Sequence, residues 1–279
     1  MPELPEVETV MRGIAPVLEG RQITQAVKYR DTLRFPIPDD FTQRLSGKKV
    51  LGLRRRSKYI LLDTEDNLTV LIHLGMSGRV RLIPKSEASH YQREKHDHII
   101  LTTEDGVLLV YNDPRRFGMW LFMDTDASDS HDLIASIGPE PLGNGLYDGY
   151  LQDKFKGRKT PIKTALLDQR IVAGLGNIYV CEVLWQTGIH PTRQAGKISS
   201  NRVATLVPAI RQVLMAAIEA GGSTLKDHAQ VDGELGYFQH QFKAYGREGE
   251  ACLKEGCSGS IGRIVQSGRS TFYCDSCQS

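Results

Sequence analysis

Four of the five cysteines in this 279-residue chain lie within its last 28 residues. They form two close pairs, Cys252 with Cys257 and Cys274 with Cys277, and sixteen residues separate the pairs. A segment this short buries too little apolar surface to hold a fold alone, whereas four thiolates can surround one zinc ion in a tetrahedron. The stretches IGRIVQ and STFYC favour two strands with SGRS as the turn between them. We therefore expect a β-hairpin stabilised by one structural zinc ion.

The chain opens with an amphipathic helix. Its apolar residues recur at steps of three and four: Leu4, Val7, Met11, Ile14 and Leu18. Pro5 suits a first helical turn, and the acidic residues Glu3, Glu6 and Glu8 suit the positive end of the helix dipole. We expect this helix to end near Gly20.

Short β-rich runs follow from about Val50 to Met123, and helical patterns follow those. The runs are KYILLDT, LTVLIHL, GRVRLI, DHIILTT and VLLVYND, with TEDN and TEDG turns. The longest later stretch, SSNRVATLVPAIRQVLMAAIEAGG, begins with serine caps and ends in a glycine pair. The order predicts an α+β protein with an N-terminal antiparallel β-sandwich at 1–130, an acidic linker at 131–150, a helical domain at 151–240 and a zinc finger at 245–279.

Charge is distributed unevenly along the chain, although the net charge is only +2. Residues 151–220 contain ten Lys or Arg against four Asp or Glu, whereas residues 124–149 contain six acids and no Lys or Arg. This surplus favours a surface that faces phosphate, with a solvated helix face as the alternative. No stretch has the pattern of a secretory signal or a bilayer span, so we expect a cytoplasmic monomer without a membrane partner.

Five segments, in order along the chain, resemble the formamidopyrimidine-DNA glycosylase family, bacterial repair enzymes for oxidised purines. They are MPELPEVET, HLGMSG, DPRRFG, GLGNIYVCEVLW and GRSTFYC. The resemblance implies a helix-two-turns-helix motif in the helical domain and a partner that is double-stranded DNA containing oxidised bases or abasic sites. It also implies that GGSTLKDHAQVDGELGYF is a loop that covers the extruded lesion.

The resemblance assigns four catalytic residues. Removal of Met1 would leave Pro2 with a free secondary amine, which attacks the anomeric carbon, and Glu3 would protonate the sugar ring oxygen. An N-terminal amine has an ordinary pKa near 8, about two units below that of lysine, so more of it is nucleophilic at neutral pH. Lys58 and Arg269 match the family's proton donors in the first and second eliminations.

The resemblance also assigns six DNA-binding residues. The side chains that fill the gap left by the extruded base match Met76, Arg115 and Phe117. A flexible thioether can fill the gap, a guanidinium can bind the orphaned cytosine, and an aromatic ring can wedge into the base stack. The glycines around Met76 and after Phe117 favour exposed loop tips over core positions. His96, Arg158 and Asn177 align with further DNA contacts, Asn177 at a helix start where amides can bind phosphate.

One feature departs from the family pattern, and two alternatives stay open. Four residues separate Cys252 from Cys257 where the family usually has two. The first alternative is an endonuclease VIII-like enzyme for oxidised pyrimidines, which shares the Pro-Glu start. The second is a non-enzymatic zinc-hairpin protein that binds damaged DNA, against which the joint presence of Pro2, Glu3 and Lys58 argues.

Overall fold

The computed structural model describes residues 2–223, Val231 and 236–279. Contacts divide the chain into two units, Met1–Ala135 with Ala220–Tyr237 and Ser136–Glu219 with Phe238–Ser279. Contacts thus place Ala220–Tyr237 in the first unit, whereas the sequence analysis placed residues up to 240 in the helical domain. Within the loop predicted to cover the lesion, residues 224–230 and 232–235 lie outside the described residues, as does Met1.

In its described residues the first unit contains three α-helices and eight strands. The helices are α1 Leu4–Leu18, α2 Phe41–Leu45 and α3 Lys85–Ala88. The strands are β1 Ile23–Lys28, β2 Val50–Arg56, β3 Tyr59–Thr64, β4 Leu68–His73, β5 Arg79–Ile83, β6 Asp97–Thr103, β7 Leu108–Asn112 and β8 Met119–Asp124. The helix predicted from Leu4 and all five predicted strand runs are confirmed.

The eight strands form two antiparallel sheets around one apolar core. The strand orders are β1-β6-β7-β5 and β2-β3-β4-β8. Side chains from both sheets and from α1 share the core, including Val10, Ile60, Val80 and Trp120. The predicted antiparallel sandwich is therefore confirmed, and the amphipathic stripe of α1 is what attaches that helix to it.

Strand β1 was not predicted from the sequence. A β-bulge between Ile23 and Gln25 interrupts its register with β6. Of its six residues only Ile23 and Ala26 are buried, three positions apart, so the strand lacks the two-residue alternation by which strands are recognised.

Two loops cross between the sheets at the same end of the sandwich. Residues 74–78 connect β4 to β5, and residues 113–118 connect β7 to β8. Strand β4 pairs with β8 through His73 and Met119, and β5 pairs with β7 through Arg79 and Asn112. These two ladders bring the 74–78 loop and the 113–118 loop side by side.

The second unit is helical and ends in a hairpin. Its helices are α4 Asp148–Phe155, α5 Ile162–Leu167, α6 Asn177–Thr187 and α7 Ser200–Glu219. Strands β9 Ile261–Gln266 and β10 Arg269–Cys274 pair antiparallel, with Arg269 opposite Gln266. The predicted four-residue turn is wrong in detail, because the turn is only Ser267–Gly268, with φ of 49° and 73°. Positive φ at both positions fits a tight two-residue turn, and it makes Arg269 the first residue of β10.

None of the helices in the described parts of the chain has the length and apolar character needed to cross a membrane.

Candidate active site and DNA interface

The N-terminal residues are buried at the start of α1. Pro2 is buried, and Glu3, the N-cap residue of α1, is 4% exposed. The Glu3 N–H donates to Glu6 Oε2 at 2.8 Å, while Glu6 Oε1 accepts both the N–H and the hydroxyl of Ser223 at 2.9 Å. The Glu6 carboxylate therefore connects the helix start to Ser223, where the predicted covering loop begins.

Lys58 lies in a two-residue turn between β2 and β3. It is 8% exposed, and its neighbour Ser57 has a φ of 55°. Arg55 joins this turn to α1, because its Nε donates to Glu8 Oε2 at 2.6 Å and its Nη1 donates to the Ser57 carbonyl at 3.0 Å. A lysine preceded by three arginines is typical of an exposed strand end, so the sequence gives no sign of this burial.

His73, which the sequence analysis left unassigned, lies near Lys58. Burial, together with the positive charges of Lys58 and Arg34, lowers the pKa of His73 to about 4, against an opposing effect of Asp113. The Nδ1 atom of His73 accepts the Gly75 N–H at 2.9 Å. A neutral imidazole at pH 7 therefore fixes the first turn of the 74–78 loop.

The three predicted gap-filling residues lie on the two adjacent loops. Met76 is 37% exposed and Phe117 is 45% exposed, and Arg115 is exposed with its guanidinium carbon 5.1 Å from the centre of the Phe117 ring. Side chains of these apolar types are usually buried. The structure therefore places all three where a nucleic acid could meet them.

His96 lies beside the 113–118 loop. It is half-buried, its ring is 6.2 Å from that of His98, and its carbonyl accepts the Asp113 N–H at 3.0 Å. His98, also left unassigned from sequence, is buried and donates from Nε2 to the Asp113 carbonyl at 2.9 Å. Both histidines therefore contact the backbone of Asp113.

In the second unit, Arg158 and Arg269 line one cavity of about 440 Å³ together with Arg170. Arg170 makes a bidentate ion pair with Asp168, through Nε and Nη2 at 2.9 Å each, and the sequence analysis missed it. Its position in a turn, 12 residues after Arg158 in sequence, carries no periodic signal. The guanidinium groups of Arg158 and Arg269 could bind phosphate in this cavity, whereas that of Arg170 is already paired with Asp168, which also lines it.

Two side chains bind the hairpin strand that follows Arg269. Asn177 donates from Nδ2 to the Ser270 carbonyl at 2.9 Å. Lys163, only 1% exposed, donates from Nζ to the same carbonyl at 3.1 Å and to Thr271 Oγ1 at 2.7 Å. Asn177 thus reaches the hairpin from the start of α6, and Lys163, which the sequence did not single out, reaches it from α5.

The four clustered cysteines fit a tetrahedral metal ion. The Cys252 and Cys277 sulfurs are 3.8 Å apart, those of Cys257 and Cys274 are 3.7 Å apart, and all four lie within 4.8 Å of one another. A tetrahedron with Zn–S distances of about 2.3 Å has edges of about 3.8 Å. The four-residue spacing between Cys252 and Cys257 is therefore compatible with a closed site of four sulfurs.

The metal site is attached to α6. Trp185 donates from Nε1 to Cys252 Sγ at 3.3 Å. Glu182, 4% exposed, accepts the backbone N–H groups of Lys243, Ala244 and Tyr245 at 2.8 to 3.0 Å. Burial raises the pKa of Glu182, and these three N–H donors oppose that effect. Helix α6 therefore holds Cys252 through Trp185, and it holds the segment 243–245 that leads to Cys252 through Glu182.

Comparisons with known proteins cover the whole chain. Residues 1–120 match the family model described as the formamidopyrimidine-DNA glycosylase N-terminal domain, and residues 137–229 match that of the formamidopyrimidine-DNA glycosylase H2TH domain. Relatives named formamidopyrimidine-DNA glycosylase from Ruegeria sp. (strain TM1040) and Jannaschia sp. (strain CCS1) are 58% and 59% identical, each over 100% of both sequences.

Two solved structures with the same fold are complexes with DNA. A Lactococcus lactis Fpg mutant bound to DNA containing Fapy-dG is 34% identical, with a TM-score of 0.90 and 100% coverage of both chains. Lactococcus lactis Fpg bound to DNA containing an abasic site is 33% identical, with the same TM-score and coverage.

Proposed function

This chain belongs to the formamidopyrimidine-DNA glycosylase family, and we propose that it excises oxidised purines from double-stranded DNA and cleaves the resulting abasic site. The substrates are 8-oxoguanine and formamidopyrimidines. The observation that supports this most directly is the buried pair Pro2 and Glu3 at the start of α1, in the same unit as buried Lys58.

The first chemical step uses Pro2 as the nucleophile. After removal of Met1, its nitrogen attacks C1′ of the damaged nucleotide, the bond from C1′ to the base breaks, and the base leaves with the proton that the Pro2 nitrogen loses. Glu3 protonates the ring oxygen as the bond from C1′ to that oxygen breaks. The product is an iminium ion that joins Pro2 to the opened sugar. Because a secondary amine gives an iminium without an N–H proton, the positive charge is retained and acidifies the C2′ proton.

The iminium then drives two eliminations. Loss of the C2′ proton breaks the bond from C3′ to its phosphate, and a second elimination breaks the bond from C5′ to the other phosphate. Lys58 serves the first elimination and Arg269 the second. The burial of Lys58 and the position of Arg269 beside Arg158 and Arg170 support these roles, since each places a cation where a leaving phosphate could be bound.

DNA is bound through its backbone and through the gap that base extrusion leaves. Met76, Arg115 and Phe117 fill that gap, and the exposure of all three supports this role. His96, Arg158 and Asn177 contact the DNA backbone. The surplus of basic residues between 151 and 220 supports a backbone interface in the second unit.

The four cysteines hold one zinc ion, which supplies no chemistry to the reaction and stabilises the hairpin that presents Arg269. The sulfur–sulfur distances of 3.7 and 3.8 Å support zinc. We place the protein in the bacterial cytoplasm, since its proposed substrate is DNA and its thiolates must stay reduced to bind metal.

Covalent trapping tests the proposal. Borohydride reduction during reaction with DNA containing 8-oxoguanine should join the processed protein to DNA, because reduction converts the iminium into a stable amine. Protein that retains Met1, verified by mass, should give no adduct, because its Pro2 nitrogen is an amide. The absence of an adduct from the processed protein would exclude the lyase mechanism, and stronger trapping on oxidised pyrimidines would favour an endonuclease VIII-like enzyme.

Glu3→Gln tests the acid, and Glu6→Gln on the same helix is the matched control. If Glu3 protonates the sugar as the base departs, Glu3→Gln should lower excision of 8-oxoguanine by about 100-fold or more but leave cleavage of a preformed abasic site much less affected. Glu6→Gln should affect both substrates alike, because Glu6 binds Glu3 and Ser223 and so acts through structure. Equal losses on both substrates for Glu3→Gln would contradict the assignment.

A further inference from the structure

The 74–78 loop and the 113–118 loop touch through their backbones. A Cβ atom on Gly75 would lie 2.4 Å from the carbonyl carbon of Phe117, and a Cβ atom on Gly118 would lie 1.7 Å from the Tyr111 hydroxyl oxygen. Gly75 also has a φ of 68°, which side chains disfavour. Only glycine fits at these two positions, because the backbone of the 113–118 loop lies against Gly75 and the Tyr111 side chain lies against Gly118.

Asp113 lies at the centre of this contact. It is 0% exposed, and its carboxylate accepts three hydrogen bonds: from Ser77 Oγ to Oδ1 at 2.6 Å, and from the Gly118 N–H at 2.9 Å and the Tyr111 hydroxyl at 3.2 Å to Oδ2. Burial raises the pKa of Tyr111 well above its usual value, so that its hydroxyl stays protonated and donates. Three donors satisfy a buried carboxylate, whereas an amide in its place would direct its NH₂ group at a donor.

Ser77 completes the connection between the loops. It is 4% exposed, directly follows Met76, and donates to Asp113. Its Oγ also accepts the N–H of Arg115 at 3.1 Å. One buried hydroxyl on the 74–78 loop therefore binds both the first residue of the 113–118 loop and the residue that carries the exposed guanidinium.

We propose that Asp113 and Ser77 are positioning residues, a clasp that locks the two loops together so that Met76, Arg115 and Phe117 are in place before DNA binds. The inference rests on the proposed function, in which these three side chains fill the gap. A site that is ordered in advance loses less freedom on binding. If the clasp is broken, only the fraction of molecules with both loops in position binds productively, and apparent activity on the substrate with a gap falls to that fraction of the wild-type value.

Two substrates separate this role from general stability. Duplex DNA with 8-oxoguanine opposite cytosine has a gap and an orphaned base after extrusion, whereas a single-stranded abasic oligonucleotide has neither and needs only the elimination chemistry. Ser77→Ala and Asp113→Asn should lower kcat/KM on the duplex by about tenfold, the factor that one lost buried hydrogen bond implies, and change single-strand cleavage by less than about twofold. Ser77→Thr, which restores the hydroxyl, should recover duplex activity.

Asp63→Asn is the matched control. Asp63 also accepts from a hydroxyl, Thr69 Oγ1 at 2.6 Å, and is paired with Arg54, and neither of these partners lies on the two loops. Asp63→Asn should therefore leave the ratio of duplex to single-strand activity unchanged. Amide exchange of residues 113–118, followed by mass spectrometry without DNA, should be faster in Ser77→Ala than in the wild type or Ser77→Thr.

The outcomes distinguish the clasp from its premise. Equal losses on both substrates, or no loss on either, in Ser77→Ala would overturn the clasp. A Met76→Ala/Phe117→Ala double variant without a duplex-specific loss would instead overturn the gap-filling role on which the clasp rests. If the double variant shows that loss and Ser77→Ala does not, the gap-filling role stands and the clasp fails alone.

Discussion

At the scale of single residues, burial sets charge states that the residue types do not reveal. His73 has a pKa near 4 because it is buried beside the positive charges of Lys58 and Arg34, and Asp113 compensates them only in part. Its neutral Nδ1 accepts the Gly75 N–H, a bond that a protonated ring nitrogen could not accept. Protonation of His73 would therefore both bury a charge and release the 74–78 loop.

The lowered pKa of His73 should be visible in how the stability of the protein depends on pH. A histidine whose pKa is lower in the folded state binds fewer protons there than in the unfolded chain, so its contribution to stability is present above about pH 6.5 and is lost as the pH falls towards 4. The full loss is about 3 kcal/mol. Urea unfolding between pH 7 and 4 should show a smaller loss in His73→Gln than in the wild type.

His90 provides the control for that measurement. It lies in the same unit with an exposed side chain, and His90→Gln should follow the wild type across the whole range. If stability fell with pH in parallel for His73→Gln and the wild type, a lowered pKa of His73 in the folded state would be excluded.

At the scale of elements, the terminal hairpin has little apolar core of its own beside the four clustered cysteines. The apolar cluster around it is small, containing buried Ala244, Cys252, Ile261 and Cys274. A cluster in which two of the four buried members are proposed zinc ligands should have little stability without the metal. The hairpin should therefore lose its order when the metal is removed.

Cysteine substitutions test this dependence. Cys274→Ala should lower bound zinc well below the about one equivalent expected for the wild type and should raise amide exchange throughout β9 and β10. The comparison is Cys181→Ala, because Cys181 is buried in α6 away from the cluster and its loss should leave the zinc content unchanged. Full zinc content in Cys274→Ala would contradict a four-sulfur site.

Elements with a local pattern could be predicted, and those held by distant contacts could not. Helix α1, five strands, the long helix α7 and the cysteine cluster all follow from spacing. The turn before Arg269 was predicted two residues too long, because SGRS ends in a further small residue, Ser270, which in the structure belongs to the ladder and pairs with Val265. Contacts such as Glu6 with Ser223 and Asp113 with Ser77 join residues far apart in sequence, where periodicity carries no information.

At the scale of the whole molecule, a net charge of +2 says little about DNA binding, and local clustering says more. Arg158, Arg170 and Arg269 surround one cavity of the second unit although each belongs to a different segment. Backbone contacts made by such clusters release counterions from DNA. Affinity should therefore depend steeply on salt despite the almost neutral chain.

Binding measured across a salt series tests this. Each phosphate contact adds about 0.9 to the slope of log K against log salt, so Arg158→Ala should reduce that slope by about one contact. Arg21→Ala is the comparison, because Arg21 is also a surface arginine but is paired with Asp105 in the first unit. A slope near zero for the wild type, or equal slopes for both variants, would contradict a phosphate-binding role for Arg158.

The close contact at Gly75 and Gly118 has a consequence for anyone who wishes to change which lesions or opposite bases the protein accepts. Both glycines are fixed by neighbouring atoms of the protein, so they would be required even in a chain that never met DNA. The exposed side chains of the two loops, among them Met76, Arg115 and Phe117, do not share this constraint. Under the proposed gap-filling role, specificity should therefore be changed through those three side chains, whereas the two glycines must be kept.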